Sequence, residues 1–582
     1  MAGARRLRPR VWEVAPRFAG ADEVARKLAL TPLLAQILHN RGASSVEEAR
    51  SFLNPRLEGL HGPELLPNID AAAVRIATAI HRNEKITLYG DYDVDGMTAV
   101  AVLRSCLAQL GANVEWYVPH RLEEGYGVNA EAIARIIEGG TRLIVTVDCG
   151  ISAQGPCEQA AAAGVDVIIT DHHLPPAQLP PALAIVHPTL AGSRYPNEHL
   201  CGSGVAFKLA WQVARTVQGS ERVDERMRHL LLEGMCLAAL GTIADVVPLV
   251  GENRIFATYG LKALPATRHV GLQALLAASG LTGEDLDAYH VGFVLAPRLN
   301  ACGRMGHAAL AVELLTSASG ERSVEIAGFL NKQNQERQTV EREIAEQARD
   351  MVRAQGMDRD DCRAIVLASR DWHAGVIGIV ASRLVEQFHR PAILIALDGD
   401  KGQGSGRSIG GFHLHDAMAA CAGHLEGFGG HAMAAGLRIA PQNVEAFTQA
   451  FVAHANERIT PERLAGNLRV DAEAKLSSID YNVVAHLVKF APFGQGNPAP
   501  VLAIRNCRVI NPPRRMGKGT TVGMVLGQNG TTMRAVGFNM GDLADDLVGV
   551  GTLDVAAEPV LNTFNGRTSV ELKLKDVRLP GE

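Results

Sequence analysis

Leu88-Tyr-Gly-Asp91-Tyr-Asp93-Val-Asp95-Gly-Met-Thr98 is the stretch whose reading decides the fold. A short apolar run, Ile86 to Tyr89, leads into it, and three carboxylates follow at alternate positions. Apolar residues at Val100, Val102, Leu103, Cys106, Leu107 and Leu110 then recur with helical spacing. Strand, tight acidic loop and helix in that order place the loop at the carboxyl end of a parallel sheet, where ligands bind. Three acids so close repel one another unless a cation sits among them, and a divalent metal fits that need. The spacing also opens an EF-hand calcium loop, whose twelfth position requires a bidentate glutamate. Counting from Asp91 that position is Val102, so the calcium reading is rejected.

Outward from this loop the strand–loop–helix alternation repeats. Strands are predicted at Ile86–Tyr89, Val114–Val118, Leu143–Val147, Val167–Thr170 and Ala184–Val186. Helices are predicted between and after them at Asn129–Ile137, Ala153–Ala163 and Gly204–Val217, with a further helix over Leu230–Leu240 stopped by Gly241. Such alternation specifies a parallel sheet covered on both faces. The predicted chemistry lies just past the strand ends: Asp148 followed by Cys149 and Gly150, then Asp171-His172-His173, and further on Asp245. A lone acid at a strand end is more often a helix cap than a ligand. Asp91, Asp93, Asp148, His172 and Asp245 converging on one edge form an oxygen-rich set with one imidazole, suited to Mn²⁺ or Mg²⁺ rather than structural zinc. These are too many ligands for one ion with open positions. Two ions sharing a carboxylate is the economical arrangement, and it is the usual device for phosphate-ester cleavage.

The 582 residues are too many for one core. Composition is 47% apolar and 20% charged, as in soluble globular chains. The apolar stretch from Leu230 to Val247 is broken by Glu233 and Asp245, so no membrane span is expected. The arginine-rich start lacks the apolar segment of a secretory signal. Nine scattered cysteines without a CxxC pair fit reduced thiols in the cytoplasm. Net charge is −5, yet no Asp or Glu occurs between Asp480 and Asp542. That interval holds Lys489, Arg505, Arg508, Arg514, Arg515, Lys518 and Arg534, a basic module able to bind a polyanion.

Five segments follow. Residues 1–80 form a helical lead-in with no chemistry, 81–265 the metal-bearing domain, and 266–355 a helical connector. Within the connector a long polar helix, about Glu321 to Gln355, can line one face with Phe329, Leu330, Val340, Ile344, Ala348 and Val352. Residues 356–460 form a second α/β unit. There Gly404-Ser405-Gly406-Arg407 reads as a small-residue loop with one guanidinium, suited to cradling phosphate. Residues 461–582 carry short strands at Val501–Ile504, Thr521–Leu526, Met533–Gly537, Gly551–Val560 and Val570–Val577, with Asn-Gly turns at 529–530 and 565–566. Five such strands with a basic first half read as an OB-fold barrel for single strands, with few aromatics beyond Phe538 and Phe564.

The motifs Asp91-Tyr-Asp93-Val-Asp95-Gly96, Val147-Asp148, Asp171-His172-His173 and Asp245 resemble those of the DHH phosphoesterase superfamily. Within it the chain is similar, nearly throughout, to the RecJ single-strand-specific exonucleases. Pro119 to Gly127, His187-Pro188, Cys201 to Lys208 and Gly292 to Met305 also carry the likeness, and Gly404 to Ser408 with Gly429 to Gly436 resembles the DHH-associated domain. The resemblance implies a DHH parallel-sheet domain and a DHH-associated α/β domain joined by a long helix, with the OB-fold barrel at the end. It implies a single-stranded-DNA-specific 5′→3′ exonuclease that releases 5′-mononucleotides by a two-metal mechanism, in DNA repair and recombination. On that basis Asp93, Asp148, His172 and Asp245 surround one Mn²⁺ or Mg²⁺, and Asp91 and Asp148 hold the second. His173 meets a phosphate oxygen, Asp95 caps the helix that follows it, and His431 faces the catalytic site. Arg121, Ser405 and Arg407 grip the terminal 5′-phosphate, while Arg304, Gln335 and Arg337 flank the strand. Arg514, Arg515 and Lys518 bind it on the barrel. Single-strand DNA-binding protein and a helicase are the partners the family suggests. Two other readings stand beside this one: a DHH hydrolase of small substrates, which the basic barrel disfavours, and a DNA-binding scaffold with a dead site, which the intact motifs disfavour.

Overall fold

The computed structural model describes residues 10–120, 124, 125, 127–304 (the side chain of Arg304 excepted) and 307–579. The acidic loop follows the strand Ile86–Gly90 of a five-stranded, wholly parallel sheet. In spatial order its strands are Val114–Tyr117, Ile86–Gly90, Leu143–Val147, Asp166–Thr170 and Ala184–Val186. The chain therefore leaves Ile86–Gly90 toward one edge, then returns past it to Leu143–Val147 and continues the other way. That reversal is a topological switch point, and loops diverge there to open a crevice. Ile86–Gly90 and Leu143–Val147 are buried along their whole length. This is what a parallel strand covered on both faces requires, each Val, Leu or Ile contributing about 1.5–3 kcal/mol.

The helices Val94–Gln109 and Gly202–Gln218 pack over one face, and Glu225–Ala244 packs on both of them. The last differs from expectation. Gly241 does not stop it; the helix runs through to Asp245, its C-cap. Glycine stands there because a Cβ would lie 2.2 Å from Ser203 Oγ and 2.3 Å from Asp95 Oδ1. The three helices thus meet at a point too tight for a side chain. By length and composition Glu225–Ala244 could cross a membrane, but its stretch from Met235 to Ile243 is buried in the core of this domain.

The long helix spans Gly320–Ala354, 35 residues and roughly 50 Å. It belongs to two cores. Ile326, Ala327 and Leu330 pack with the parallel-sheet domain, whereas Ile344, Ala345, Ala348 and Val352 pack with the second α/β unit. Between these halves Arg337 is buried against Glu341 (2.6 Å) and Asn334 (2.8 Å), and Arg383 reaches the same carboxylate. The expectation that Arg337 touches a bound strand is therefore corrected: its charge is used inside the protein. The second unit has a sheet ordered Gly427–Gly430, Ala434–Ile439, Lys401–Arg407, Ala392–Asp398 and Ile365–Ser369, parallel only in its last pair. Gly404, Ser405 and Gly406 lie inside a strand rather than in the expected loop. Their glycines answer close packing, since a Cβ on Gly404 would meet Leu437 at 2.7 Å.

At the carboxyl end, Leu502–Val509, Thr552–Phe564, Arg567–Arg578, Thr531–Phe538 and Thr521–Gln528 pair in that order, and the last returns to the first to close a barrel. Asn529 and Asn565, each followed by glycine, take left-handed backbone and form the tight turns their sequence encodes. The lead-in segment is not purely helical. Val11–Val14 adds a parallel strand to Asn467–Val470, and the helices Ala21–Leu28, Pro32–Asn40 and Val46–Leu53 share a core with the barrel. Arg41 forms a buried pair with Asp471 at 2.6 Å, so the two ends of the chain are joined. Arg254, from the parallel-sheet domain, donates to the carbonyls of Phe52, Phe490 and Ala491 and lies 4.0 Å over the Phe52 ring. One guanidinium thereby ties the barrel and the lead-in to the domain bearing the acids.

Candidate metal centre

Adjacent strands place the site residues side by side. Asp91 follows Ile86–Gly90, Asp148 follows Leu143–Val147, and Asp171-His172-His173 follows Asp166–Thr170. Asp245 joins them from the end of a helix, not a strand, which corrects the expected origin of the fourth motif. Oxygens of Asp91, Asp93 and Asp148 lie within 4.8 Å of one another, as do ligand atoms of Asp148, His172 and His173 and of Asp95, His172 and Asp245. His172 Nε2 sits 3.1 Å from Asp148 Oδ1, 3.6 Å from Asp245 Oδ2 and 3.8 Å from Asp95 Oδ2.

The backbone is shaped for this convergence. Asp148 takes φ = +62°, a left-handed conformation that aspartate tolerates better than most residues but that still costs free energy. Gly202 sits directly over it, where a Cβ would approach Asp148 Oδ1 to 2.4 Å. Gly96 has the same office below the acidic loop, where a Cβ would meet the Asp91 backbone at 2.6 Å.

The three acids of that loop differ in role. Asp93 caps the following helix, accepting from Gly96 N at 3.1 Å. Asp95, expected to be that cap, lies within the helix instead. Its carboxylate accepts from the amides of Gly202 (2.6 Å) and Ser203 (2.9 Å), at the start of the helix Gly202–Gln218. A carboxylate on two free amides at a helix N-terminus is well stabilised there. Asn300 secures the loop from the other side, accepting from Val94 N at 3.1 Å. Asp171 accepts from the amides of Ile151, His172 and His173 and from His173 Nδ1 at 2.7 Å. It therefore points away from the cluster and aims His173. The sequence placed Gly202, Ser203, Asn300 and Asp171 within family motifs without assigning these roles. The small residues after Cys201 were the readable signal of a close helix start.

Electrostatics follow from burial. Burial, then Asp95 and Asp93, push Asp148 well above the usual carboxylate range. Burial and the neighbouring Asp95 raise Asp93, and burial followed by Asp95 and Asp93 raises Asp245 to about 8. Burial lowers His172. His173 behaves oppositely: burial opposes its charge, but the Asp171 hydrogen bond together with the charges of Asp171, Asp245 and Asp91 outweighs it and holds the imidazole at about 9. Asp171 is held at about 2, burial being overcome by that hydrogen bond, the charge of His173 and the amides of His173 and Ile151 together. Asp148 Oδ1 and His172 Nε2 are buried with no hydrogen-bond partner among the described residues. Buried lone pairs without donors, inside a crowd of carboxylates, are the condition that a divalent cation relieves. An oxygen-rich set with one imidazole fits Mn²⁺ or Mg²⁺.

The remaining residues named from the sequence are dispersed. Ser405 and Arg407 come together in one strand, 3.1 Å apart, against Gly378 in the first turn of the helix Ile377–Phe388. His431 is exposed beyond the strand Gly427–Gly430. Gln335 is exposed on the long helix. Arg121 lies outside the described residues, as does the side chain of Arg304. Arg514 and Lys518 are exposed on the barrel. Arg515 is exposed there as well and pairs with Asp542 (3.2 Å) and Asp545 (2.6 Å).

Fold and site together define a DHH-type phosphoesterase. Family models match accordingly: DHH family, N-terminal domain over residues 85–238, DHHA1 domain over 361–457 and RecJ OB domain over 470–576. The chain is similar to the single-stranded-DNA-specific exonuclease RecJ of Bacillus subtilis, 39% identical over 97% of this chain and 70% of that one. It is 34% identical to the Escherichia coli exonuclease of the same name, over 94% and 96% of the two chains. The crystal structure of Thermus thermophilus RecJ with Mn²⁺ superposes with a TM-score of 0.84 at 32% identity, covering 98% of this chain and 80% of that one. The chain belongs to the RecJ family of single-stranded-DNA-specific exonucleases.

Proposed function

We propose that the protein hydrolyses single-stranded DNA from its 5′ end and releases 5′-mononucleotides, serving DNA repair and recombination. The observation that carries this reading is the pair of buried atoms without hydrogen-bond partners, Asp148 Oδ1 and His172 Nε2, within a cluster of raised carboxylates. Asp93, Asp148, His172 and Asp245 would hold one divalent ion; Asp91 and Asp148 would hold a second. Two such ions supply an activated water and offset the charge that develops on the scissile phosphate. His173, kept protonated by Asp171, donates a hydrogen bond to a phosphate oxygen. Ser405 and Arg407, beside the start of the helix Ile377–Phe388, hold the 5′-phosphate together with Arg121. His431 faces the reacting end, and Arg304 and Gln335 flank the strand. Arg514 and Lys518, which form no ion pair with a described residue, meet backbone phosphates farther along. The division into segments 1–80, 81–265, 266–355, 356–460 and 461–582 belongs to the same reading.

The RecJ relatives carry the single-strand specificity in their names, and the barrel matches the OB module of that family. Single-strand DNA-binding protein and a helicase are the proposed protein partners. A cytoplasmic setting is supported by nine cysteines, none in a disulfide. The test is direct. Purified protein with Mn²⁺ should shorten a 5′-phosphorylated, 3′-labelled single strand by whole 5′-mononucleotides and leave blunt duplex intact. Cleavage from the 3′ end, or no cleavage with Mn²⁺ or Mg²⁺, overturns the reading.

A further inference from the structure

Tyr289 and Phe293 form an exposed aromatic pair that the metal centre does not use. Their rings stack with centroids 4.9 Å apart and planes 24° apart, and the residues are 61% and 70% exposed. Among the described residues five aromatic side chains are more than half exposed: Tyr289, Phe293, Tyr481, Phe538 and Phe564. Of these, Tyr289 and Phe293 alone lie stacked on each other. Two bare rings held in register four residues apart on a helix are costly to leave in water.

Their position is tied to the catalytic loop by one continuous helical run. The segment His290–Leu295 is a π-helical stretch that continues directly into Ala296–Arg304. Such wide turns occur often at functional sites, because they re-aim side chains without ending the helix. At its far end Asn300 accepts from Val94 N of the acidic loop, and a Cβ on Gly303 would reach Tyr92 O at 2.6 Å. Between the two aromatic residues, Gly292 faces Ile243, two residues before Asp245, with 4.0 Å between Ile243 Cγ2 and a Cβ at that glycine. The helix carrying the rings therefore touches both the loop of Asp91 and Asp93 and the element that presents Asp245. From Phe293 to Asn300 is seven residues, about 10 Å along the axis. A strand that keeps the stacked rise of about 3.4 Å per nucleotide covers that length in roughly three nucleotides.

We propose that Tyr289 and Phe293 are a base-stacking platform for the substrate strand, receiving a nucleobase roughly three nucleotides from the scissile bond. Every base has a π-face, so such a platform takes any sequence, as a nonspecific exonuclease needs. A paired base cannot leave its stack to lie on a protein ring without cost, so the platform also favours unpaired strands. The proposal rests on the reading that this site hydrolyses single-stranded DNA.

The experiment uses the full chain with Mn²⁺ and 5′-phosphorylated oligothymidylates of 2, 3, 6 and 12 nucleotides. The double substitution Tyr289→Ala with Phe293→Ala should raise KM for the 12-mer at least about fivefold with kcat nearly kept, as loss of one stacked base implies. Dinucleotide hydrolysis, on a substrate too short to reach the rings, reports whether the catalytic loop is intact. Phe293→Trp should restore the 12-mer KM. A metal-free binding arm places 2-aminopurine at the third nucleotide, where wild type should quench its fluorescence and the double variant should not. Equal KM at every length, an equal loss at every length, or no difference in quenching overturns the proposal. Quenching without hydrolysis by wild type would instead sink the hydrolytic reading and leave the platform standing.

Discussion

The parallel-sheet domain and the barrel dispose of charge in different ways. At the ends of Ile86–Gly90 and Leu143–Val147, Asp91, Asp93, Asp95, Asp148 and Asp245 crowd around two histidines, and burial raises Asp148 and Asp245 far from their ordinary range. On the barrel, the basic run between Asp480 and Asp542 is partly spent on internal partners. Arg505 pairs with Glu473 and Asp554, Arg515 with Asp542 and Asp545, and Arg534 with Glu571. Linear charge density overstates the barrel's capacity for DNA, because acids distant in sequence fold back onto it. In the sheet domain the same folding concentrates charge, because parallel strands deliver three motifs to one edge and a helix end brings Asp245 to them. The charge available to a ligand is what the internal partners leave over.

The largest test removes the residue on which this contrast turns. Asp148→Ala deletes the carboxylate that lies in reach of both halves of the cluster. If Asp148 serves both ions as proposed, its loss removes several kcal/mol of transition-state stabilisation, and kcat should fall on the order of 10³-fold or more. Binding of a labelled strand, carried by other segments, should stay measurable by anisotropy. Near-normal turnover in this variant would mean the cluster is not the catalytic centre.

A smaller effect comes from geometry alone. Gly202→Ala leaves every charge in place but puts a methyl 2.4 Å from Asp148 Oδ1. The helix or the carboxylate must shift, and a displacement near 1 Å costs about 10²-fold in rate. Activity should drop by that order, while the thermal midpoint changes far less than for a core deletion. Wild-type activity would show that the fit of this helix over Asp148 does not matter.

The sequence carried these two regions unequally. Strand positions were legible because each buried run of Val, Ile and Leu was short and ended in an acid or a turn residue, and the barrel hairpins because Asn529-Gly530 and Asn565-Gly566 encode their own turns. Gly241 misled, since glycine both ends helices and lets helices approach closely; only the tertiary approach of Ser203 and Asp95 distinguishes the two. The helix cap was assigned to Asp95 rather than Asp93 for a related reason. A cap on the residue's own helix is visible in local spacing, whereas a grip on the amides of Gly202 and Ser203, more than a hundred residues away, is not. Arg337 was misjudged likewise, with Glu341 and Arg383 closing around it, and the strand Val11–Val14 went unread because its partner Asn467–Val470 lies far along the chain.

The smallest effect separates two neighbouring arginines on one edge strand. Arg514–Met516 pairs with Thr521–Gln528, and alternation along it turns Arg514 and Arg515 to opposite faces. Arg515 holds Asp542 and Asp545, while Arg514 and Lys518 hold no described acid. If only uncommitted cations meet phosphate, Arg514→Ala and Lys518→Ala should each reduce the slope of log binding against log salt by about 0.7 for a single strand. Arg515→Ala should leave that slope unchanged, because its guanidinium is already matched by two carboxylates and it releases no counterion on binding. A fluorescence titration over a range of salt reads all three. An equal drop for Arg515 would show that its ion pairs open when the strand arrives, and that the barrel's capacity is the full linear run rather than the remainder left by folding.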